Sequence, residues 1–382
     1  MIYQISKTTS ISYKYIAKPI MFKIPPDSVH DYITMLGSNL QNFKVFRSLV
    51  SGAYNYQDEI LETNLAGVKI SNPVGLSAGF DNNIDLALLM KSFGFGFMEG
   101  GSITYHPTKG NSRPWFYRLP KSKSLIVNKG LNNRGSKEII KRISNYPENT
   151  FTDFPLNISV AKTNSPEAAS IDDAITDYID SLRVIKRAGV GQIITLNITC
   201  PNAFGGEHFA EPKRLEKLLD RVDKLDLVQP VFLKMPSDLD WLDFAKLADV
   251  AGKHKISGLT MVNLAKNRAK MNFKDDLNKI LPDKLENIKG NMSGMLTQKI
   301  SDDLIKKTRQ NYGDKFVIIG VGGIFSGEDA YRKILLGADA VELITGVIFE
   351  GPQLIGQINR DIASFLRRDG FKNISEAVGK DL

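Results

Sequence analysis

Cys200 is the only cysteine in 382 residues, and it stands in Asn197-Ile198-Thr199-Cys200-Pro201-Asn202, directly after the run Gln192-Ile193-Ile194-Thr195-Leu196. An isolated cysteine is ordinarily a small core hydrophobe. Here amides flank it and a proline follows at once, and proline cannot continue a central strand. The pattern therefore presents the thiol to a pocket at the carboxyl end of a strand, where α/β enzymes carry their chemistry.

Lys234 interrupts the apolar run Phe232-Leu233-Lys234-Met235-Pro236. An ammonium inside such a strand needs an anionic partner or a hydrogen-bond acceptor, and a phosphate or an electron-rich ring would serve. Ile318-Ile319-Gly320-Val321-Gly322-Gly323-Ile324 leads into Ser326-Gly327 and a helical pattern. Its glycines let backbone N–H groups approach a phosphate, and the helix start adds a positive dipole end. A second apolar run ends in Thr345-Gly346. Two loops are long enough to act as lids: Cys200 to Pro212, with Gly205-Gly206 as hinge, and Lys266 to Met295. A mobile loop bearing the acid/base group would close over substrate and exclude water.

These residues need a frame, and the periodicity supplies one. Strand candidates recur at Pro73–Gly79, Gly96–Thr104, Leu156–Lys162, Gln192–Thr199, Val231–Pro236, Gly258–Asn263, Phe316–Gly323 and Ala340–Thr345. Helical patterns separate them, such as Leu215, Leu218, Leu219, Val222 and Leu225, or Leu354, Ile355, Ile358, Ile362 and Phe365. Apolar strands alternating with amphipathic helices imply a parallel sheet covered by helices. Eight such units fit a (β/α)₈ TIM barrel, with the glycine elements on the seventh and eighth strands, the usual phosphate site of such barrels. Leu61–Pro73 reads as a hairpin closing the barrel floor.

Residues 61–382 thus form the barrel, and residues 1–60 an N-terminal arm with a small helical extension. Pro25-Pro26-Asp27-Ser28 is a helix start, and Val29, Ile33, Leu36 and Leu40 follow at helical spacing. A shorter stripe continues at Phe46, Leu49, Val50 and Ala53. These two amphipathic helices, residues 25–55, either pack on the barrel or lie on a membrane surface.

Composition narrows the partners. One cysteine leaves no disulfide framework and no cysteine-built zinc or iron–sulfur site, and four scattered histidines make no histidine-built metal centre, so no metal is expected. The net charge of +8 favours anionic partners, but no clustered Arg/aromatic stretch points to nucleic acid. No apolar run is long enough to span a bilayer. The first acidic residue, Asp27, is preceded by Lys7, Lys14, Lys18 and Lys23, so the start is read as a transit peptide or as a basic arm on anionic membrane.

Taken in order, Asn72–Asp81, Gly110-Asn111-Ser112-Arg113-Pro114, Asn128-Lys129-Gly130-Leu131-Asn132-Asn133, Asn197–Asn202, Ile318–Gly323 and Phe349-Glu350-Gly351-Pro352 resemble dihydroorotate dehydrogenase, an FMN-containing barrel enzyme of pyrimidine synthesis. The resemblance covers nearly the whole chain. It implies FMN on Ala78, Gly79, Ser102, Asn197, Lys234, Gly294, Gly322, Gly323, Thr345 and Gly346. It implies substrate amides from Asn128, Asn132, Asn197, Asn202 and Asn263, and Cys200 as the base that takes a proton from C5 of dihydroorotate.

The family's membrane-bound class uses a serine base and N-terminal helices that form a quinone tunnel, whereas its soluble class uses cysteine and lacks those helices. This chain combines the helices with the cysteine. The tunnel's His and Arg fall on His30 and Arg118, its Gln and Tyr on Met21 and Ile344. A lysine that the two classes place near substrate and flavin falls here on Asn82 or Gly101, and Lys129 is the candidate replacement. The expected activity is oxidation of dihydroorotate to orotate, with electrons passed to a quinone or another acceptor such as fumarate or a nicotinamide carrier. An FMN barrel acting on another dihydropyrimidine, or a non-catalytic phosphate-binding barrel, are the alternatives. The expected location is peripheral, on the cytoplasmic side of a membrane, or cytoplasmic, with an organellar address left open.

Overall fold

A computed structural model describes residues 2–199 and 209–382; Cys200, Asn202 and the Gly205-Gly206 hinge lie outside the described residues. Eight parallel strands close a barrel: β1 (Val74–Leu76), β2 (Phe97–Ile103), β3 (Leu156–Val160), β4 (Ile193–Asn197), β5 (Val231–Lys234), β6 (Ile256–Met261), β7 (Val317–Val321) and β8 (Ala340–Leu343). Each pairs with the next in sequence, and Val341 against Val74 closes the ring. The eight strands expected from the sequence are these.

Two-residue periodicity sorts each strand into two faces. Leu156, Ile158, Val160, Ile194, Leu196 and Leu233 join the core beneath the helices. The alternate positions Phe97, Ile193, Phe232, Ile319 and Ala340 form a separate apolar plug with Leu65 and Ile70. Those two come from the hairpin Thr63–Leu65/Val68–Ile70, so the hairpin does seal the floor.

Local signals set the covering helices. Ser170 caps Ile171–Ala188 by accepting from Asp173 N (3.1 Å), and Gly189 ends it at φ 62°. Glu211 caps Pro212–Asp223, which buries Leu215, Leu218, Leu219 and Val222, one stripe of a 3.6-residue period.

The extension contains more helix than its sequence announced. α1 (Ile2–Ser12) passes through a π-helical turn, Tyr13–Ala17, into α2 (Lys18–Met21). α3 (Pro26–Leu40) and α4 (Lys44–Tyr54) are the two helices expected. The first segment carries neither acidic residues in its first turn nor an apolar stripe strong enough to read, and contacts with the barrel hold it instead. Tyr13 OH donates to Ile348 O (2.6 Å), and Lys18 Nζ to Phe349 O (3.0 Å). α3 is pinned at both ends: Asp27 accepts from Trp115 N (2.9 Å) and Phe116 N (3.2 Å), and Gln41 donates to Asp85 O.

Lys266–Met295 is not a free loop. Its strand Asn291–Gly294 pairs with Ser124–Val127, which pairs in turn with Phe116–Leu119. Leu119, Ile126, Ala265, Leu281, Ile288 and Met292 give this side sheet its own small core.

Candidate active site

Two residues above the apolar plug, the same inward-facing register places Glu99, Thr195, Lys234 and Glu342 in the barrel. Apolar side chains normally fill such a barrel, so a charged layer marks function. Lys234 Nζ lies 3.5 Å from both Glu99 oxygens, long for a charge-assisted bond. Glu342 is fully buried, and neither of its oxygens has a hydrogen-bond partner. Burial, then the neighbouring Glu99 carboxylate, pushes its carboxyl well above the usual range, with Lys234 opposing.

Amides and hydroxyls line the next level. Asn197 Nδ2 donates to Ser102 Oγ (2.8 Å), which contacts Ser159 Oγ (2.8 Å). Asn263 Nδ2 donates to Thr199 Oγ1 (2.8 Å), Thr199 O (2.9 Å) and Asn197 Oδ1 (3.2 Å). The tips of β2, β4 and β6 are thereby held in one network, and Asn197 and Asn263 also line the cavity.

That cavity, about 620 Å³, opens above the polar layer and continues beneath the N-terminal helices. Its barrel end is lined by Ala78, Gly79, Ser102, Lys234, Gly294, Gly322, Gly323, Thr345 and Gly346. Its outer end is lined by Met21, Phe22, His30, Ile33, Leu36, Arg118 and Ile344. The glycines are required by space as well as by conformation. A Cβ on Gly323 (φ 69°) would stand 2.2 Å from Gln298 Cβ, and one on Gly346 would stand 2.1 Å from Ile324 O. Gly79 (φ 108°) has no atom within 4 Å of its Cβ position, so its backbone opens onto the cavity. A cradle of bare backbone beside a buried ammonium fits a phosphate-bearing, electron-accepting ring system.

Lys129 reaches this site from the loop after Ser124–Val127. Its Nζ donates to Asn82 Oδ1 (3.1 Å) and Gly79 O (3.4 Å). Burial lowers its pKa to about 8. Asp81 beside it accepts from Asp85 N (2.9 Å) and Leu86 N (2.8 Å), and burial raises its carboxyl to about 6. At the outer end, Arg118 donates to Ile24 O (2.8 Å) and lies 4.7 Å from the centroid of the Phe22 ring.

All ten residues assigned to the flavin line this cavity, as do Lys129, Asn263, His30 and Arg118. Asn128 and Asn132 do not. Asn128 Oδ1 accepts from Asn111 (3.0 Å), and Asn132 Nδ2 donates to Lys109 O (2.9 Å). Sequence reasoning missed Glu99 and Glu342. A carboxylate within an otherwise apolar strand, the signal that singled out Lys234, was present at both positions.

A family model described as dihydroorotate dehydrogenase matches residues 60–366. The chain is 33% identical to a dihydroorotate dehydrogenase (quinone) of Trichodesmium erythraeum, covering 96% of this chain and 98% of that one. It is 30% identical to a protein of the same name from Nostoc punctiforme, covering 97% and 98%. The crystal structure of DHODH from Eimeria tenella in complex with ferulenol superimposes with a TM-score of 0.78 at 24% identity, covering 93% of this chain and 95% of that one, a likeness of fold. The chain belongs to the dihydroorotate dehydrogenase family of flavin-dependent oxidoreductases.

Proposed function

We propose that the chain oxidises dihydroorotate to orotate on FMN and passes the electrons to a quinone. The observation that carries this is the single cavity joining the glycine-lined barrel mouth to the apolar space under α3. FMN bound there would take two electrons from the substrate and release them to an acceptor. Gly322, Gly323, Thr345 and Gly346 would hold its phosphate, with Ala78, Gly79, Ser102 and Lys234 around the ring. Asn197 and Asn263 orient the substrate through their amides, Asn202 contributes a further amide, and the Lys129 ammonium faces its carboxylate. Cys200 takes the C5 proton.

The extension supports the quinone as acceptor and peripheral contact with a membrane. Twelve of the fifteen large apolar side chains exposed among the described residues lie between Ile11 and Leu49. Lys14, Lys23 and Lys44 are exposed along the same segment. An apolar face edged with lysines suits insertion to headgroup depth, and no helix among the described residues is long and apolar enough to cross a membrane. The test is anaerobic: dihydroorotate should bleach the yellow protein, and a quinone should restore the colour faster than fumarate or NAD⁺. A protein that dihydroorotate does not bleach would refute the assignment.

A further inference from the structure

Lys129 is 7% exposed, and its contacts face two ways. Toward the barrel, Nζ meets Asn82 Oδ1 at 3.1 Å and Gly79 O at 3.4 Å. Toward α3, it lies 3.4 Å from His30 Nε2. Among the described residues, no carboxylate lies within salt-bridge reach of it. An ammonium buried among neutral acceptors is half of an ion pair, and the missing half is an anion brought in by the cavity.

We propose that Lys129 couples the two ends of the cavity: an anion bound on its Asn82 side offsets the charge that His30 faces, and so raises the affinity of His30 for a proton. This rests on the dihydroorotate reading, because dihydroorotate and orotate supply that anion as their carboxylate.

The surroundings leave Lys129 as the adjustable element. His30 Nε2 is 3.1 Å from Phe80 O, and its Nδ1 is 3.6 Å from Asp31 Oδ1. Burial first, and the Lys129 charge second, lower the His30 pKa to about 4. The other charged groups that bear on Lys129 are Asp81, Asp31, Arg113 and Asp27. Asp31 is paired with Arg113 at 2.6 Å. Asp27 and Asp81 are each held by two backbone amides. With these carboxylates held in place, an anion entering on the Asn82 side is the change of charge that ligand binding brings to Lys129. Substrate occupancy then brings the imidazole nearer its protonated form at the end of the cavity where a quinone takes up two protons with its two electrons. By linkage, a proton on His30 strengthens anion binding by the same factor.

The chain has four histidines, so ¹⁵N-histidine NMR of the holoenzyme resolves the question, with His30→Gln assigning the signal. Saturating orotate should raise the proton affinity of His30 at least about threefold, half a pH unit. In Lys129→Met, His30 should titrate higher without orotate and no longer respond to it, whereas Lys129→Arg should keep the response. Calorimetry on the same samples reports orotate binding. Orotate that binds without moving His30, or that moves it equally in Lys129→Met, overturns the coupling alone. Wild-type protein that binds no orotate overturns the dihydroorotate reading and the coupling with it. Should Lys129→Met fail to fold, the pH dependence of orotate affinity in wild type and His30→Gln decides: tightening at low pH that His30→Gln removes supports the coupling, and the same profile in both proteins, as protonation of Asp81 alone would give, overturns it.

Discussion

The Lys234 ammonium and the Glu99 carboxylate face each other inside the barrel, with 3.5 Å between Nζ and each oxygen and both side chains buried. Glu342 shares their layer without a hydrogen-bond partner for either oxygen. One cation compensates one carboxylate, and burial beside Glu99 favours the protonated form of Glu342. A carboxyl raised above its usual 4.5 contributes stability that is complete below that value and is lost as pH rises toward the folded-state pKa. Glu342→Gln should remove that loss. In urea unfolding as pH rises from about 5, the wild type should lose stability relative to the variant, at most ~1.4 kcal/mol per pH unit. Parallel profiles would mean that Glu342 is ionised.

Lys234→Met should behave in the opposite way, because it leaves Glu99 buried without a counter-charge. The cost expected is ~3–5 kcal/mol. Glu99→Gln in the same background should recover part of it, and unfolding of the double variant measures the coupling.

The proposed phosphate cradle includes two positions with no room for a methyl group. Gly323→Ala and Gly346→Ala should each yield folded but largely colourless protein, since the added Cβ would sit 2.2 Å and 2.1 Å from its neighbours and displace the backbone. Absorbance of the purified protein, checked against circular dichroism, measures this. A fully yellow Gly346→Ala would remove Gly346 from the cofactor site.

On the proposed role of Cys200 as base, flavin reduction should follow the titration of the thiol. A free thiol titrates near ~8.5, so anaerobic stopped-flow reduction should accelerate toward mildly alkaline pH. Cys200→Ser should be slower, and Cys200→Ala slower by at least ~100-fold, the usual scale of general-base catalysis. Wild-type rates in Cys200→Ala would exclude it.

The apolar face of the extension should govern membrane contact without touching chemistry. Ile16 and Leu49 are 62% and 69% exposed, so replacing both by serine removes no core packing. Sedimentation with anionic vesicles should fall, while reduction of the flavin by dihydroorotate stays unchanged. Unaltered vesicle binding would assign the contact elsewhere.

Periodicity and composition determined the eight strand–helix units, the floor hairpin, the helices α3 and α4, the Gly322-Gly323 pair after β7 and Thr345-Gly346 after β8, and the buried Lys234. Each of these is a local property: an alternation, a cap, a residue type misplaced in its run. Folding decided what distant segments do to one another. Asn82 and His30 stand 47 and 99 residues from Lys129 in the chain, yet both contact its ammonium. Asn291–Gly294 becomes a strand only by pairing with Ser124–Val127. Glu99 and Glu342 acquire their meaning when the ring closes and turns their faces inward, because a strand's own alternation defines two faces but not which of them looks into the barrel.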